Sequence, residues 1–213
     1  MKSSILCTFF AFVSVISLVR CQDNKDELKL LTFDGGKGTT SQYWKLTNDP
    51  VMGGSSYSSW DVDSKLETAQ WIGKVNIVKS LKKPGFCVVM SNVEKWNDAS
   101  SYTHLHIRAR STIPYNGLKI SFGTNKFDLQ FKCFKADFFM LGHGDWEDIY
   151  IPFTDFSNKW SDFTGEPIVK CSEDKSVCPS PENLKEILQF GFWMEGVEGE
   201  FHFEVESLSA ATM

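Results

Sequence analysis

The chain has 213 residues, of which 42% are hydrophobic and 14% aromatic, so it is long enough to bury one sizeable core. Its formal net charge is -5 at pH 7, and this acidic balance argues against a nucleic-acid-binding face. The length favours a single domain, since the sequence contains no internal repeat, low-complexity tract or interdomain linker.

The N-terminus is predicted to be a secretory signal peptide over residues 1–21. Lys2 supplies a positive start, residues 5–19 form an apolar stretch, and cleavage is expected after Cys21. A retained membrane anchor is the alternative, although the stretch is short for a membrane span. Residues 22–29 then form a short charged leader. We expect a secretory location, either secreted or in an organelle lumen, and no membrane span once the signal is removed.

Residues 30–208 are predicted to form one all-β domain of about ten short strands separated by turns. The strands are expected at residues 28–33, 57–62, 65–75, 86–90, 102–110, 118–122, 126–131, 134–141, 146–153, 189–194 and 200–208. The only predicted helix begins at Pro181 and ends near Leu188. This pattern is typical of an antiparallel β-sandwich or jelly roll. Residues 209–213 are left as a tail.

A tight corner is predicted early in the domain, between two strands. Pro50 directs the residue before it towards an extended conformation, and the Gly53-Gly54 pair permits positive φ. We expect Met52 to anchor the corner in the core. The alternative is a ligand-contacting loop, because loops often carry binding sites. The candidate binding residues of this corner are Asn48, Asp49, Met52, Gly53 and Gly54.

The stretch from His104 to Arg110 alternates between apolar and polar residues, as expected for a strand with one face on the core. The residues predicted to face the core are Leu105, Ile107 and Ala109, and those predicted to face solvent are His104, His106, Arg108 and Arg110. A His-x-His pair on one strand face is a weak metal motif, and solvent-facing histidines are the commoner outcome. We therefore predict no metal site and keep Arg108 as a candidate binding residue.

Four cysteines remain after removal of the signal, an even number that suggests disulfides in a secreted chain. Cys171 and Cys178 flank a polar loop that their disulfide would close. Cys87 and Cys133 lie in apolar strand-like stretches, where they form either a disulfide between two strands or two buried thiols.

Tryptophan supplies further candidate binding residues, because an exposed indole can stack on the apolar face of a sugar. Most tryptophans of a β-sandwich lie in the core, and one or two are expected to be exposed, with Trp96 or Trp160 as the candidates because they lie among polar residues. By contrast, no nucleophile elbow, phosphate loop or dinucleotide fingerprint occurs in the sequence. We therefore predict neither catalysis nor a cofactor.

The segment Asn48-Asp-Pro-Val-Met-Gly-Gly-Ser-Ser56 resembles the signature of the complex I intermediate-associated protein 30 family. Three further segments resemble that family: His104–Arg110, Trp146–Phe156, and the stretch from Leu184 to Val205. The resemblance implies a jelly roll similar to galactose-binding-like domains. The family's founding members are chaperones that assist assembly of mitochondrial complex I, and relatives in photosynthetic organisms carry the domain in other organelles.

Two features depart from that family. The stretch Ser111–Gly117 replaces its usual Gly-Asp-Gly turn, and the N-terminus is apolar where mitochondrial presequences are amphipathic and Arg-rich. We therefore expect a non-catalytic, chaperone-like module that binds client proteins in the secretory pathway or an organelle lumen. A secreted carbohydrate-binding module is the alternative, and a mitochondrial complex I assembly factor is a second. An exposed Trp beside Asn or Asp in a concave face would favour a glycan, whereas a broad apolar patch would favour a client protein.

Overall fold

A computed structural model describes residues 26–124, 133–162 and 164–213. The predicted signal peptide and the strand expected at residues 126–131 lie outside the described residues. The described residues form thirteen strands. Their bounds are β1 Glu27–Thr32, β2 Trp44–Asn48, β3 Tyr57–Asp63, β4 Thr68–Val75, β5 Ile77–Val78, β6 Lys83–Pro84, β7 Phe86–Ser91, β8 His104–Arg110, β9 Leu118–Gly123, β10 Phe134–Asp137, β11 Glu147–Pro152, β12 Gln189–Glu195 and β13 Gly199–Ala211.

Two antiparallel sheets hold most of these strands. Sheet A has the order β11-β8-β13-β4-β3, and β1 also pairs with β13. The strand β13 is long enough to pair with β4 through residues 199–205 and with β1 through residues 207–211. Sheet B has the order β10-β9-β12-β7-β2, and β5 and β6 form a small separate hairpin. The all-β sandwich is therefore confirmed.

The helices are short. One α-helix, α1, spans Pro181–Lys185, and three 3-10 helices span Asp49–Met52, Phe153–Asp155 and Lys175–Val177. Ser180 caps α1 by accepting a hydrogen bond from the Asn183 backbone, and the Asn183 side chain accepts from the Ser180 backbone in return. The helix ends three residues earlier than predicted, at Lys185.

The core lies between the inner faces of the two sheets. It is rich in fully buried aromatic side chains, including Trp71, Phe122, Phe192 and Phe203. The indole of Trp60 packs edge-on against Trp71 and stacks on Phe192. Because Trp60 lies on sheet A and Phe192 on sheet B, this stacking connects the two sheets. Leu105, Ile107 and Ala109 face this core, as their alternation predicted.

Three predicted boundaries differ from the structure, because the pairing between strands decides where a strand begins and ends and the local pattern does not. Strand β13 continues to Ala211, so residues 209–211 belong to sheet A and not to a tail. Strand β1 begins at Glu27, inside the predicted leader. The strand expected at residues 134–141 ends at Asp137, since its ladder with β9 stops there.

The cysteines are divided between the two expected states. Cys171 and Cys178 form a disulfide, with their Cα atoms 4.9 Å apart. Cys87 and Cys133 are buried thiols and do not form the alternative disulfide. Cys87 lies on β7 and Cys133 directly precedes β10, and two strands separate β7 from β10 in sheet B. Adjacent strands lie about 4.8 Å apart, which places the two cysteines beyond disulfide reach.

Candidate functional site

The outer face of sheet B carries two rows of side chains that cross the sheet. One row contains Asp137, Lys119, Trp193, Val88 and Thr47. The next contains Lys135, Ser121, Gly191, Met90 and Lys45. Several of these residues are buried although they point away from the core, including Lys119, Ser121, Lys135 and Met90. Loops must therefore cover part of this face.

Two loops flank the face and leave a groove between them. The corner after β2 contributes Val51 and Met52, and the irregular segment of residues 157–178, which we call the excursion, contributes Trp160. The groove encloses about 410 Å³, a volume within the usual range of ligand sites. Its lining residues are Thr47, Val51, Met52, Phe86, Val88, Met90, Cys133, Lys135, Asn158, Trp160, Ser161, Asp162, Trp193 and Glu195.

A charged pair lies in the groove. The Nζ of Lys135 is 2.6 Å from Oε1 of Glu195, and both side chains are almost fully buried. The same Nζ lies 3.8 Å from the ring centroid of Trp193, so the lysine crosses the indole to reach its carboxylate. Burial of this pair is tolerable because each charge has a close partner. The pair offers one cationic donor and one anionic acceptor in a groove that is lined by apolar and polar residues.

Trp160 stands at the excursion side of the groove. Its ring centroid lies 5.4 Å from the Nζ atoms of both Lys119 and Lys135. Its indole Nε1 donates a 2.7 Å hydrogen bond to the Ser157 carbonyl. Ser157 also exchanges two backbone hydrogen bonds with Lys135 of β10, at 2.9 and 3.0 Å. Trp160 is partly buried, and it is held in place by a residue that is fixed to sheet B.

Ser157 was missed by sequence reasoning. It is buried, and its hydroxyl donates a 2.6 Å hydrogen bond to the Val169 carbonyl within the excursion. The only sequence feature that points to Ser157 is its position shortly after the predicted strand at residues 146–153, and many serines in loops share that feature.

Asn158 supplies an acceptor without a partner. Its side-chain Oδ1 is buried at the groove and accepts no hydrogen bond from the described residues. Buried polar atoms in folded proteins are nearly always hydrogen-bonded, so this oxygen is a candidate contact for a ligand donor.

Burial raises the pKa of the Cys133 thiol, which lines the groove. Burial also raises the pKa of the Cys87 thiol, which lies on the inner face of sheet B, to about 12. Both thiols are therefore protonated at neutral pH. A protonated thiol is a poor nucleophile, which argues against thiol chemistry at the groove.

The predicted corner is present, but its anchor is Asp49 and not Met52. Asp49 is 1% exposed and accepts hydrogen bonds from the Ser56 backbone N–H at 2.7 Å and from the Ser56 hydroxyl at 2.5 Å. Asn48 accepts a hydrogen bond from Ser58 at 2.8 Å. Met52 is 50% exposed, because the 3-10 turn directs it to the groove.

The two corner glycines serve backbone geometry. Gly53 has φ of 79°, and a Cβ on Gly54 would lie 2.2 Å from the Asp49 carboxyl carbon. Of the corner residues predicted to bind a ligand, only Met52 lines the groove.

Two other predicted contacts lie away from the groove. Trp96 is only 3% exposed and packs against Phe190 with ring centroids 5.3 Å apart, so the expectation of an exposed indole is wrong. Arg108 lies on sheet A and pairs with Asp148 at 2.7 Å and Glu206 at 3.5 Å.

His106 was expected to face solvent but is 6% exposed. Its ring stacks on Tyr150 at 4.4 Å, and its two nitrogens lie 3.2 Å from Glu27 and 2.9 Å from Asp148. Among the described residues, no group of three or more His, Cys, Asp or Glu has an arrangement that could hold a metal ion.

Residues 31–205 match the sequence profile of the family described as Complex I intermediate-associated protein 30 (CIA30). The chain belongs to the CIA30 family. The resemblance carried by the corner motif is thereby confirmed. No curated protein matches this CIA30-family chain in a sequence comparison.

Solved structures with a similar fold include carbohydrate-binding modules. A family 11 carbohydrate-binding module from Clostridium thermocellum, in complex with a beta-1,3-1,4-mixed-linked tetrasaccharide, is 14% identical, with a TM-score of 0.59 over 87% of this chain and 95% of that one. The family 11 module of the cellulosomal cellulase Lic26A-Cel5E from Clostridium thermocellum is 12% identical, with a TM-score of 0.56 over 87% and 96%. The agarase AgWH50C is 11% identical, with a TM-score of 0.51 over 87% of this chain and 26% of that one.

At these identities the likeness shows the fold, which is the galactose-binding-like jelly roll expected from the sequence. The family match and this fold support a non-catalytic binding module. In the part of the chain that the structure describes, no helix is both long and apolar enough to cross a membrane.

Proposed function

We propose that this CIA30-family chain is a carbohydrate-binding module and that the groove binds a glycan. The observation that supports this most directly is the partly exposed Trp160, which lines the groove together with Asn158 and Asp162. An indole flanked by amide and carboxylate groups matches the two surfaces of a sugar, whose ring has an apolar face and a hydroxyl edge.

The groove offers both kinds of contact. Its floor carries the apolar side chains of Phe86, Val88 and Met90, and its polar lining residues are Thr47, Lys135, Asn158, Ser161, Asp162 and Glu195. Lys135 can donate to a hydroxyl, while Glu195 and the unpartnered Oδ1 of Asn158 can accept from one. A small number of directional polar groups in an apolar groove gives orientation to a ligand whose affinity comes from burial.

A glycan ligand agrees with the predicted signal peptide over residues 1–21, which would deliver the module to the secretory pathway. The family 11 module solved with a mixed-linked tetrasaccharide suggests a β-linked glucan as the first ligand class to test.

A client protein is the second candidate, and one observation favours it. Val51 is 72% exposed and Met52 50% exposed at the rim of the groove, and exposed apolar residues at a groove are typical of protein contacts. The apolar stretch is narrow, however, and charged and amide groups interrupt it.

The test is isothermal titration calorimetry with a beta-1,3-1,4-mixed-linked tetrasaccharide, preceded by a glycan array to widen the ligand choice. We expect Trp160→Ala to weaken glycan affinity roughly tenfold or more, because stacking on the indole is lost. Trp146→Ala is the matched control, since Trp146 is also partly exposed but lies beside Arg108 and Arg110 on the other sheet. Absence of binding to every glycan on the array, or equal affinity of the Trp160→Ala variant, would overturn the proposal.

A further inference from the structure

A second cavity adjoins the groove on the far side of Trp160. This cavity, which we call the side pocket, encloses about 240 Å³. Its walls come from the end of β10, the 3-10 turn at Phe153–Asp155 and the excursion. Among the described residues, Trp160 is the one that lines both spaces, so we treat it as the partition between them.

The side pocket differs from the groove in its chemistry. Asp155 and Lys170 both line it, and neither side chain forms an ion pair with the described residues. Thr154 adds a hydroxyl, and Asp137 adds a carboxylate already paired with Lys119. Donors and acceptors that have no ion-pair partner among the described residues and share one pocket suit a ligand rich in hydroxyl groups.

Bonds within the protein hold the partition in place. Ser157 fixes the excursion to β10 through two backbone hydrogen bonds and accepts the indole hydrogen bond of Trp160. Cys171, another lining residue of the side pocket, is buried and is joined to Cys178 by the disulfide. Parts of the lining are therefore held by bonds that do not depend on a ligand, as expected for a preformed site.

We infer that the groove and the side pocket are two parts of one elongated site, and that its ligand is a linear oligosaccharide of several units that crosses Trp160. This inference rests on the proposed carbohydrate-binding function. One sugar unit stacks on Trp160, units on one side occupy the groove, and units on the other side reach Asp155 and Lys170 in the side pocket. The module therefore selects for chain length.

The test compares a mixed-linked β-glucan disaccharide, tetrasaccharide and hexasaccharide by calorimetry on the full mature chain. We expect affinity to rise with chain length until both parts are filled. Lys170→Ala should weaken hexasaccharide binding roughly two- to tenfold, the effect of one lost hydrogen bond, and leave disaccharide binding unchanged. Lys175→Ala is the matched control, because Lys175 lies exposed on the same excursion but lines neither space.

The outcomes separate this inference from the proposed function. If the wild-type chain binds neither this series nor any glycan on the array, the proposed function fails, and the inference fails with it. If the disaccharide binds as tightly as the hexasaccharide, or Lys170→Ala and Lys175→Ala behave alike, glycan binding stands but the elongated site is wrong. An equal loss for short and long chains in Lys170→Ala also overturns the elongated site.

Discussion

At the scale of single residues, Asp49 organises the corner that lines one side of the groove. Its carboxylate is buried, accepts two hydrogen bonds from Ser56 and is approached closely by the backbone of two glycines. A Cβ on Gly85 would lie 1.5 Å from Asp49 Oδ2, well inside any real contact distance. Gly85 is therefore required for space, whereas Gly53, at φ of 79° with no atom near its would-be Cβ, is required only for backbone conformation.

Two glycine variants test this distinction. We expect Gly85→Ala to lower the free energy of unfolding by about 2–4 kcal/mol, because the methyl group displaces a buried, hydrogen-bonded carboxylate. Gly53→Ala should cost only about 1–2 kcal/mol, the cost of a left-handed conformation for a residue with a Cβ. Urea denaturation measures both. Equal losses for the two variants would contradict the role assigned to Asp49.

At the scale of elements, the excursion is the segment that converts an ordinary sheet face into a site. It carries Trp160, it is attached to β10 through Ser157, and it is closed by the Cys171–Cys178 disulfide. Little regular structure supports it apart from the 3-10 turn at Lys175–Val177. Hydrogen bonds and the disulfide therefore help to hold it in place.

Removal of the disulfide by substitution tests how far the excursion depends on it. We expect the Cys171→Ser/Cys178→Ser double variant to lose about 2–3 kcal/mol of stability, the chain-entropy value for a loop this short. Amide hydrogen exchange should accelerate more in the excursion than in β12, which lies within sheet B, because local opening of the unlinked loop adds to the loss of global stability. Equal acceleration in both segments would show instead that the disulfide acts only on global unfolding.

At the scale of the whole molecule, β13 joins segments that are far apart in the chain. It pairs with β8 on one edge and with β4 and β1 on the other, and its last residues, Ser209, Ala210 and Ala211, are fully buried. The carbonyl of Ala211 also accepts a hydrogen bond from Thr103 at 3.1 Å. The C-terminus is therefore part of the fold of sheet A.

Truncation tests this role. Deletion of residues 209–213 removes ladder hydrogen bonds to two strands, and we expect a loss of at least about 3 kcal/mol, which lowers the melting temperature by roughly 6–12 °C. Deletion of Thr212 and Met213 alone, both exposed, is the control and should change the melting temperature little. A thermal scan by circular dichroism that finds the two truncations alike would contradict the structural role of residues 209–211.

The sequence by itself determined the fold class, the family, most strands and the Cys171–Cys178 disulfide. These follow from local information: the alternation of residues 104–110, the Gly and Pro turns, a corner motif in one continuous stretch, and cysteines that flank a short loop. The corner could be located from the sequence, but the roles of its residues could not be assigned. Burial of Asp49 and exposure of Met52 depend on how Ser56 and Gly85 pack around the corner, and a local pattern does not contain that information.

Only the tertiary structure decided where the groove lies. Met52, Lys135, Trp160 and Trp193 meet there from four separate segments, and strand order brings them together. Period-two alternation tells which side chains share a face but does not tell which outward face a loop will cover. For that reason Lys135 and His106 are buried on outer faces, and Trp96 is packed in the core although its sequence neighbours are polar.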